Sequence, residues 1–567
     1  MTLLLVFFGC GEESVKSEKT GDTSLLSERN ETLFTETFLE FNESNFIEND
    51  ASNKIDLSYS EINIKKIDIN SEINISVGDE PKTLYLLFTN RSDHSERINV
   101  KLNSLPPLSK INFKRNCSND NLKYFLEKKS LSEITIFNHQ PLLKRLKSMQ
   151  VKPLFKERES KEGETRERFF MGQDRRDGTW ARLRKEVKNV ETLYGLKSLK
   201  IWVSEENFHA RCVTQEMVDA LAQSFLQEGQ DNDIYDWVTN IFGEEWEESG
   251  IDGLIGEQNE ISILLTDIGH DQRIEGGIPA YFYAKDNYTQ SLVAGSNERL
   301  MFYVDAPIFA YYATRNAQNI SQKNWLRSVL AHEFEHMIYF YQKRVKLQSK
   351  TESIWLDEML AVATEDLLAT KLGTLGIRGI PPWEGDAGEY QIHNPWLETF
   401  NEHMNESILQ WDGEFKDYSK VASFGAYLIR NYDGASILHN IMHNTYGDKE
   451  AIVKAVNHSL LQEEPKDFDS ILQDWGVAVL LSSEEEDQPH YSFNQGDFFD
   501  FPYGDTLYSV GSINFFNYDV QPAIRTRMDQ PIDPHANFYY KIAEKIQGEL
   551  NIHAEIPETI DVVLVSK

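Results

Sequence analysis

The run Ala331-His332-Glu333-Phe334-Glu335-His336 constrains this chain more tightly than any other stretch of it. In a helix, residues four apart lie one above the other on the same face. Both imidazoles can therefore offer a ring nitrogen to one metal ion while Glu333 sits beside it. The flanks suit a buried helix: Trp325 to Leu330 leads in and Met337 to Phe340 follows, apolar-rich and free of Pro and Gly. An ordinary core helix with histidines at its surface would carry the same pattern, so a third ligand has to decide between the two readings.

Glu358 is the best candidate. The segment Glu352 to Leu368 is helical in character, with Leu356, Leu360, Ala363 and Leu367 at helical spacing. Each helix climbs only about 1.5 Å per residue, so an antiparallel pair joined near Lys346 to Thr351 returns Glu358 to the height of the histidines. Two imidazoles and one carboxylate leave a fourth position for water, the arrangement of a catalytic rather than a structural zinc. Glu333, poorly placed to ligate alongside both histidines, is left as general base. Glu365, two turns beyond Glu358, reads as a carboxylate behind a ligand or between helices. His439 and His443 are also four apart, but lack a glutamate after the first histidine and a third carboxylate in a comparable helix; they read as ordinary helix histidines. His393 and His403 lie in a loop-like stretch that no motif singles out.

His332-Glu333-x-x-His336 followed by Trp355-Leu356-Asp357-Glu358 resembles the gluzincin metallopeptidases. The segments Ile261 to Ile268, Gly276 to Phe282 and Ser296 to Asp305 are similar, more narrowly, to the hyicolysin family, and the resemblance spans residues 195 to 450. It implies a Zn2+ cofactor, protein or peptide substrates, and an α+β fold. The expected catalytic domain is gluzincin-like and two-lobed, with a mixed α/β first lobe and a helical second lobe, flanked by small β-sandwich-like domains. Tyr418 to Gly434 is similar to the Tyr-x-Lys…Tyr-Leu…Gly pattern of gluzincin aminopeptidases, which implies that Tyr418 is the phenol that stabilises the transition state and Tyr427 a packing residue. One departure stands out: Val362 occupies the position where some gluzincins place an aspartate behind a zinc histidine. The Gly-x-Met-Glu-Asn strand that holds a substrate's free amine in gluzincin aminopeptidases is absent. Arg299 to Val304 reads instead as a strand able to pair with an extended peptide, which favours an endopeptidase. The rivals are an aminopeptidase of the same group and an inactive surface lipoprotein acting in adhesion or binding.

The start of the chain resembles a bacterial lipoprotein signal, residues 1–10, with Cys10 lipidated. That implies a lipid anchor to the membrane through Cys10 and a place in the cell envelope, on the outer surface or in the periplasm, with release as a further possibility. Residues 11–54 have the Ser-, Glu-, Thr- and Asn-rich composition of a solvated tether. Residues 55–116 alternate as a β domain, 117–186 read as a basic linker open to processing, 187–485 as the catalytic domain and 486–567 as a second β domain. Cys117 and Cys212 are free to form one disulfide or to stay as buried thiols. A net charge of −34 disfavours nucleic acid as a partner. No calcium loop of the Asp-x-[Asp/Asn]-x-[Asp/Asn]-Gly type is present, and the sequence sets no oligomeric state. If Cys10 is acylated, labelled fatty acid should be incorporated by the native chain and lost in Cys10→Ser; label that persists in the variant contradicts this assignment.

Overall fold

The structure is a computed structural model that describes residues 54–58, 62–67, 72–102, 128–143, 158–161, 164–208, 212–274, 277–314, 320–350, 353–459, 464–485, 488–528 and 530–567. Cys10, the tether and Cys117 lie outside the described residues. In chain order the elements begin with β1 (Lys54–Asp56), β2 (Asn63–Lys66), β3 (Glu72–Asn90), β4 (Asn99–Leu102) and α1 (Lys128–His139). Next come β5 (Arg158–Lys161), β6 (Glu164–Phe170), β7 (Gly178–Thr192), β8 (Gly195–Ser204), α2 (Gln215–Phe225), α3 (Ile234–Phe242), β9 (Glu260–Thr266), β10 (Ala280–Phe282) and β11 (Leu300–Asp305). A helical stretch follows: α4 (Ala306–Thr314), α5 (Ile320–Tyr339), α6 (Ile354–Leu372), α7 (Pro395–His403), α8 (Phe415–Asn431), α9 (Ala435–Met442), α10 (Lys449–Ser459) and α11 (Phe468–Leu481). The last strands are β12 (Phe499–Tyr503), β13 (Thr506–Val510), β14 (Asn537–Glu555) and β15 (Ile560–Ser566). The result is a mixed α/β molecule with several sheets.

The sheet beside the site has seven strands in the order β10-β11-β9-β8-β7-β6-β5. Strands β8, β9 and β11 run parallel, and β9 and β11 are buried along almost their whole length, as expected for parallel strands covered on both faces. Strand β10 closes one edge, antiparallel to β11. The strand anticipated at Arg299 to Val304 is therefore β11, hydrogen-bonded on both sides, and it cannot accept a peptide by strand addition; the open edge belongs to β10.

The stretch 117–186, expected as a linker, contributes α1 and most of the far half of this sheet. Charge density concealed the strands. Their long cationic side chains lie on aromatic rings, Arg166 over Trp180 at 4.2 Å and Arg184 over Phe208 at 3.7 Å, and Arg166 and Arg182 both reach Glu205. Charged side chains of this kind blunt the edge of a sheet without preventing pairing.

The β domains expected at 55–116 and 486–567 are likewise corrected. Strand β3 lies between β15 and β14 in one sheet of order β2-β15-β3-β14-β4, with β1 also on β3, so both ends of the chain build a single layer. Its alternating residues serve two cores: Leu84, Leu86 and Phe88 pack with Ile542, Leu550 and Val562, whereas Tyr85 and Leu87 turn towards the main core. The β12–β13 hairpin stays apart from this sheet: Thr370 of α6 donates to Ser509 O, and Tyr508 OH donates to Trp237 O of α3. Cys212 is a free thiol. No helix among the described residues is long and apolar enough to cross a membrane.

Removing residues 537–567 strips β3 of both long neighbours and bares the Leu84, Leu86 and Phe88 face. The truncated chain should be recovered as aggregate; a soluble product that melts cooperatively in calorimetry would contradict this pairing.

Candidate metal centre

Helix α5 is held on the sheet by Phe334, whose ring meets Phe225 of α2 at 5.2 Å and Tyr235 of α3 at 5.5 Å. Phe225 in turn meets Phe302 of β11 at 5.5 Å. That packing turns His332 and His336 to the opposite side, one helical turn apart, with ring centroids 4.8 Å apart. Helix α5 continues into a π-helical turn, Phe340–Lys346, before the chain returns as α6, which stops at Gly373 in the left-handed conformation, φ 68°. The two helices are antiparallel: Asp357 and Glu358 lie beside His336, and Glu365, further along α6, lies beside His332 and Ser328.

Glu358 Oε2 lies 3.5 Å from His332 Nε2 and 3.6 Å from His336 Nε2. It is buried and has no hydrogen-bond partner, which is costly unless a cation completes the group. Donor atoms about 2.0–2.2 Å from a tetrahedral zinc sit about 3.3 Å from one another, so the separations of Glu358 Oε2 from both nitrogens fit the ion.

A carboxylate stands behind each imidazole. His332 Nδ1 and Glu365 Oε1 are 2.9 Å apart, and Ser328 Oγ donates to Glu365 Oε2 at 2.8 Å. His336 Nδ1 and Asp357 Oδ1 are also 2.9 Å apart. With each Nδ1–H given to a carboxylate, each Nε2 keeps its lone pair for the shared centre. Glu365 thus supplies the support that Val362 lacks. Asp357 carries no motif of its own in the sequence; its only signal there is that it forms an acidic pair with Glu358 at the level of the second histidine.

The electrostatics point the same way. Burial opposes a charge on His332, yet the carboxylates of Glu358 and Glu365 beside its ring outweigh it and hold the pKa well above the usual value. Burial likewise opposes a charge on His336, but the charges of Asp357 and Glu358 push its pKa up to about 10. Burial, followed by the charge of Asp357, drives Glu335 far above the ordinary carboxyl range. The pocket as a whole favours positive charge.

Glu333 faces the same cavity. Phe282 N–H, on the edge strand β10, donates to its Oε2 at 2.8 Å, and burial raises its pKa although both histidines pull the other way. Tyr418, near the start of α8, donates from its hydroxyl to Glu358 Oε1 at 3.3 Å. Helix α8 can come this close because a Cβ on Gly425 would already meet Ala363 Cβ at 3.0 Å. Burial raises the Tyr418 pKa well above its ordinary value. The cavity, about 900 Å³ counting its open mouth, is also lined by Ile278, Ala280, Trp325 and Trp396, and by His139 and Asn138 of α1, which no motif had marked.

The other histidines are placed elsewhere. His439 and His443 meet as tilted rings with centroids 4.2 Å apart, His439 Nδ1 donates to Ile241 O at 2.8 Å, and burial lowers the pKa of His443 to about 4. The exposed His393 clusters with buried Glu398 and exposed Asp519, and His403 pairs with Glu406. None of the four lines the cavity.

Residues 179–493 match the family model described as peptidase M30. A curated relative, the neutral metalloprotease ShpI of Staphylococcus hyicus, is 26% identical over 270 residues, which is 47% of this chain and 52% of that protein. The chain thus spans about half the length of this relative. An M1 zinc metallopeptidase structure from Deinococcus radiodurans aligns at 11% identity and TM-score 0.28, covering 55% of this chain and 60% of that one. An aminopeptidase N family protein from Idiomarina loihiensis aligns at 12% and 0.30, covering 67% and 68%.

Zinc added to chelator-treated protein should raise the melting midpoint, with a stabilisation of about 4 kcal/mol once free zinc is 1,000-fold above Kd. Glu365→Ala should weaken zinc binding by about 10- to 100-fold without unfolding the chain. Calorimetry and chelator competition measure both, and a midpoint indifferent to zinc would contradict the site.

Proposed function

Because the chain belongs to the peptidase M30 (hyicolysin) family of metallopeptidases, we propose that it is a zinc-dependent endopeptidase acting on proteins or peptides, with Glu333 as general base and Tyr418 as oxyanion donor. The observation that carries this reading is the convergence of His332, His336, Glu358, Glu333 and Tyr418 on one cavity. His332 Nε2, His336 Nε2 and Glu358 Oε2 would hold the ion. When bound, zinc supplies Lewis-acid polarisation of the scissile carbonyl and a water of lowered pKa.

The chain's own groups do the rest. Glu333 Oε2 is anchored by Phe282 N–H, which leaves Oε1 to take a proton and return it to the leaving amine. Its raised pKa suits that exchange, since a stronger base takes the proton and a mildly acidic carboxyl gives it back. Tyr418 stays protonated across the working range and can swing its O–H from the long contact with Glu358 to a developing oxyanion.

The edge strand supports an extended substrate. Asp305 N–H donates to Pro279 O, and Ala280 pairs opposite Val304, so by antiparallel alternation the peptide groups of Ala280 and Phe282 face away from β11. Those of Phe282 are taken by Glu333 and Asn138, which leaves Ala280 for the main chain of a peptide. Strand β10 carries no acidic residue, and the carboxylates lining the cavity, Glu333, Asp357, Glu358 and Glu365, are each engaged with a histidine or with Phe282. Among the described residues lining the cavity, no carboxylate is free to fix a substrate's terminal amine, which favours internal bonds. Anchoring of the chain at the cell envelope through Cys10 belongs to the same proposal.

Glu333→Gln should retain zinc while kcat falls below detection, and Tyr418→Phe should lower kcat by about 100- to 1,000-fold with KM little changed. Peptides with blocked and free N-termini should be cut alike. Steady-state kinetics on defined peptides decide: substantial turnover by Glu333→Gln removes the base, and a strict need for a free amine replaces the endopeptidase with an aminopeptidase.

A further inference from the structure

Helix α1 lies outside the span that matches the family, residues 179–493, yet it reaches the metal cavity with successive side chains. Phe137 packs edge-on against Tyr283 at 5.3 Å and Tyr288 at 5.9 Å. Asn138 then behaves as a neighbouring strand would: its Nδ2 donates to Phe282 O at 3.0 Å and its Oδ1 accepts from Ala284 N at 2.8 Å. These contacts cap the outward edge of β10 at Phe282 only and fix the position of the helix end.

His139 comes next and turns inward. Its Nδ1 donates to Thr135 O in its own helix at 2.8 Å. Its Nε2 lies 2.8 Å from Asp357 Oδ2, a close contact of ring nitrogen with carboxylate. The other oxygen of the same carboxylate, Oδ1, holds His336 Nδ1 at 2.9 Å. Both partners are sequestered, with side chains 9% and 6% exposed.

We infer that His139 is a positioning residue of the metal centre: it pins the outer oxygen of Asp357, and through Asp357 the ring of His336. The inference rests on the metallopeptidase reading above. A carboxylate held only through Oδ1 can rotate about its Cβ–Cγ bond and release the imidazole; one held at both oxygens cannot. The contact also places a nitrogen donor against one of several carboxylates crowded around His336, where solvent cannot supply one. Orientation of a ligating imidazole by the groups behind it governs how well its other nitrogen binds metal. The segment read from the sequence as a linker thereby becomes a working part of the site, supplied from outside the region shared with the family.

The test compares zinc affinity, zinc release rate and melting midpoint in the full chain, using chelator competition and stopped-flow release. His139→Ala and His139→Leu should each bind zinc about tenfold more weakly and release it faster, and His139→Gln, whose amide can still donate to Asp357, should recover part of the loss. Leucine fills the volume of the imidazole, so the test stands even where the alanine variant fails to fold. With Asp357→Ala as background, His139→Leu should cause no further loss of zinc affinity. Wild-type zinc affinity and release in His139→Leu, with only a lowered melting midpoint, would overturn the inference and leave His139 a packing residue. A wild-type chain that binds no zinc would instead overturn the reading on which the inference rests.

Discussion

Burying several carboxyl groups around two imidazoles is the constraint on which the rest of this molecule depends. Glu333, Glu335, Asp357 and Glu358 are all buried, and Glu365 is only slightly exposed. Isolated charges in such a place cost far more than a marginally stable fold can offset. The arrangement persists because each carboxylate but Glu335 finds a donor and because the centre favours a cation. The same demand raises the pKa of His336 through the charges of Asp357 and Glu358, against the opposing effect of burial.

Each neighbouring element can be understood as a way of keeping those groups in register. The parallel strands give α5 a rigid bed through Phe334, Phe225 and Phe302. Antiparallel return of α6 sets Asp357, Glu358 and Glu365 at three heights along α5. Strand β10 delivers a backbone N–H to Glu333, and the close approach at Gly425 lets α8 present Tyr418. Chemistry and packing are therefore hard to separate here, since the aromatic contacts that bury the helix also decide which way its histidines face.

How much of this was legible in the sequence follows from the range of the interactions. His332, Glu333, His336 and Glu358 could be placed together because helical periodicity and one short connection fix their heights. Glu365 was legible for the same reason. His139 was not, because nearly two hundred residues separate it from His336 and nothing in its charged surroundings hints at burial. The strands between Glu164 and Thr192 were hidden by cationic side chains, among them Arg166 and Arg184, that lie over aromatic rings. Pairing of β3 with β14 and β15 joins the two ends of the chain, and alternation in either segment alone specifies a strand without naming its partner. The same gap separates β11 as a strand able to pair with a peptide from β11 as it is: hydrophobic pattern marks burial, and only the fold reveals that β10 covers its outer side.

The most direct test of the central claim is anomalous diffraction at the zinc edge from crystals of the zinc-loaded chain. The account predicts a single strong peak bounded by His332 Nε2, His336 Nε2 and Glu358 Oε2, with ligand distances of about 2.0–2.2 Å. A peak at His439 and His443, or at the exposed His393 cluster, with none between α5 and α6, would contradict it.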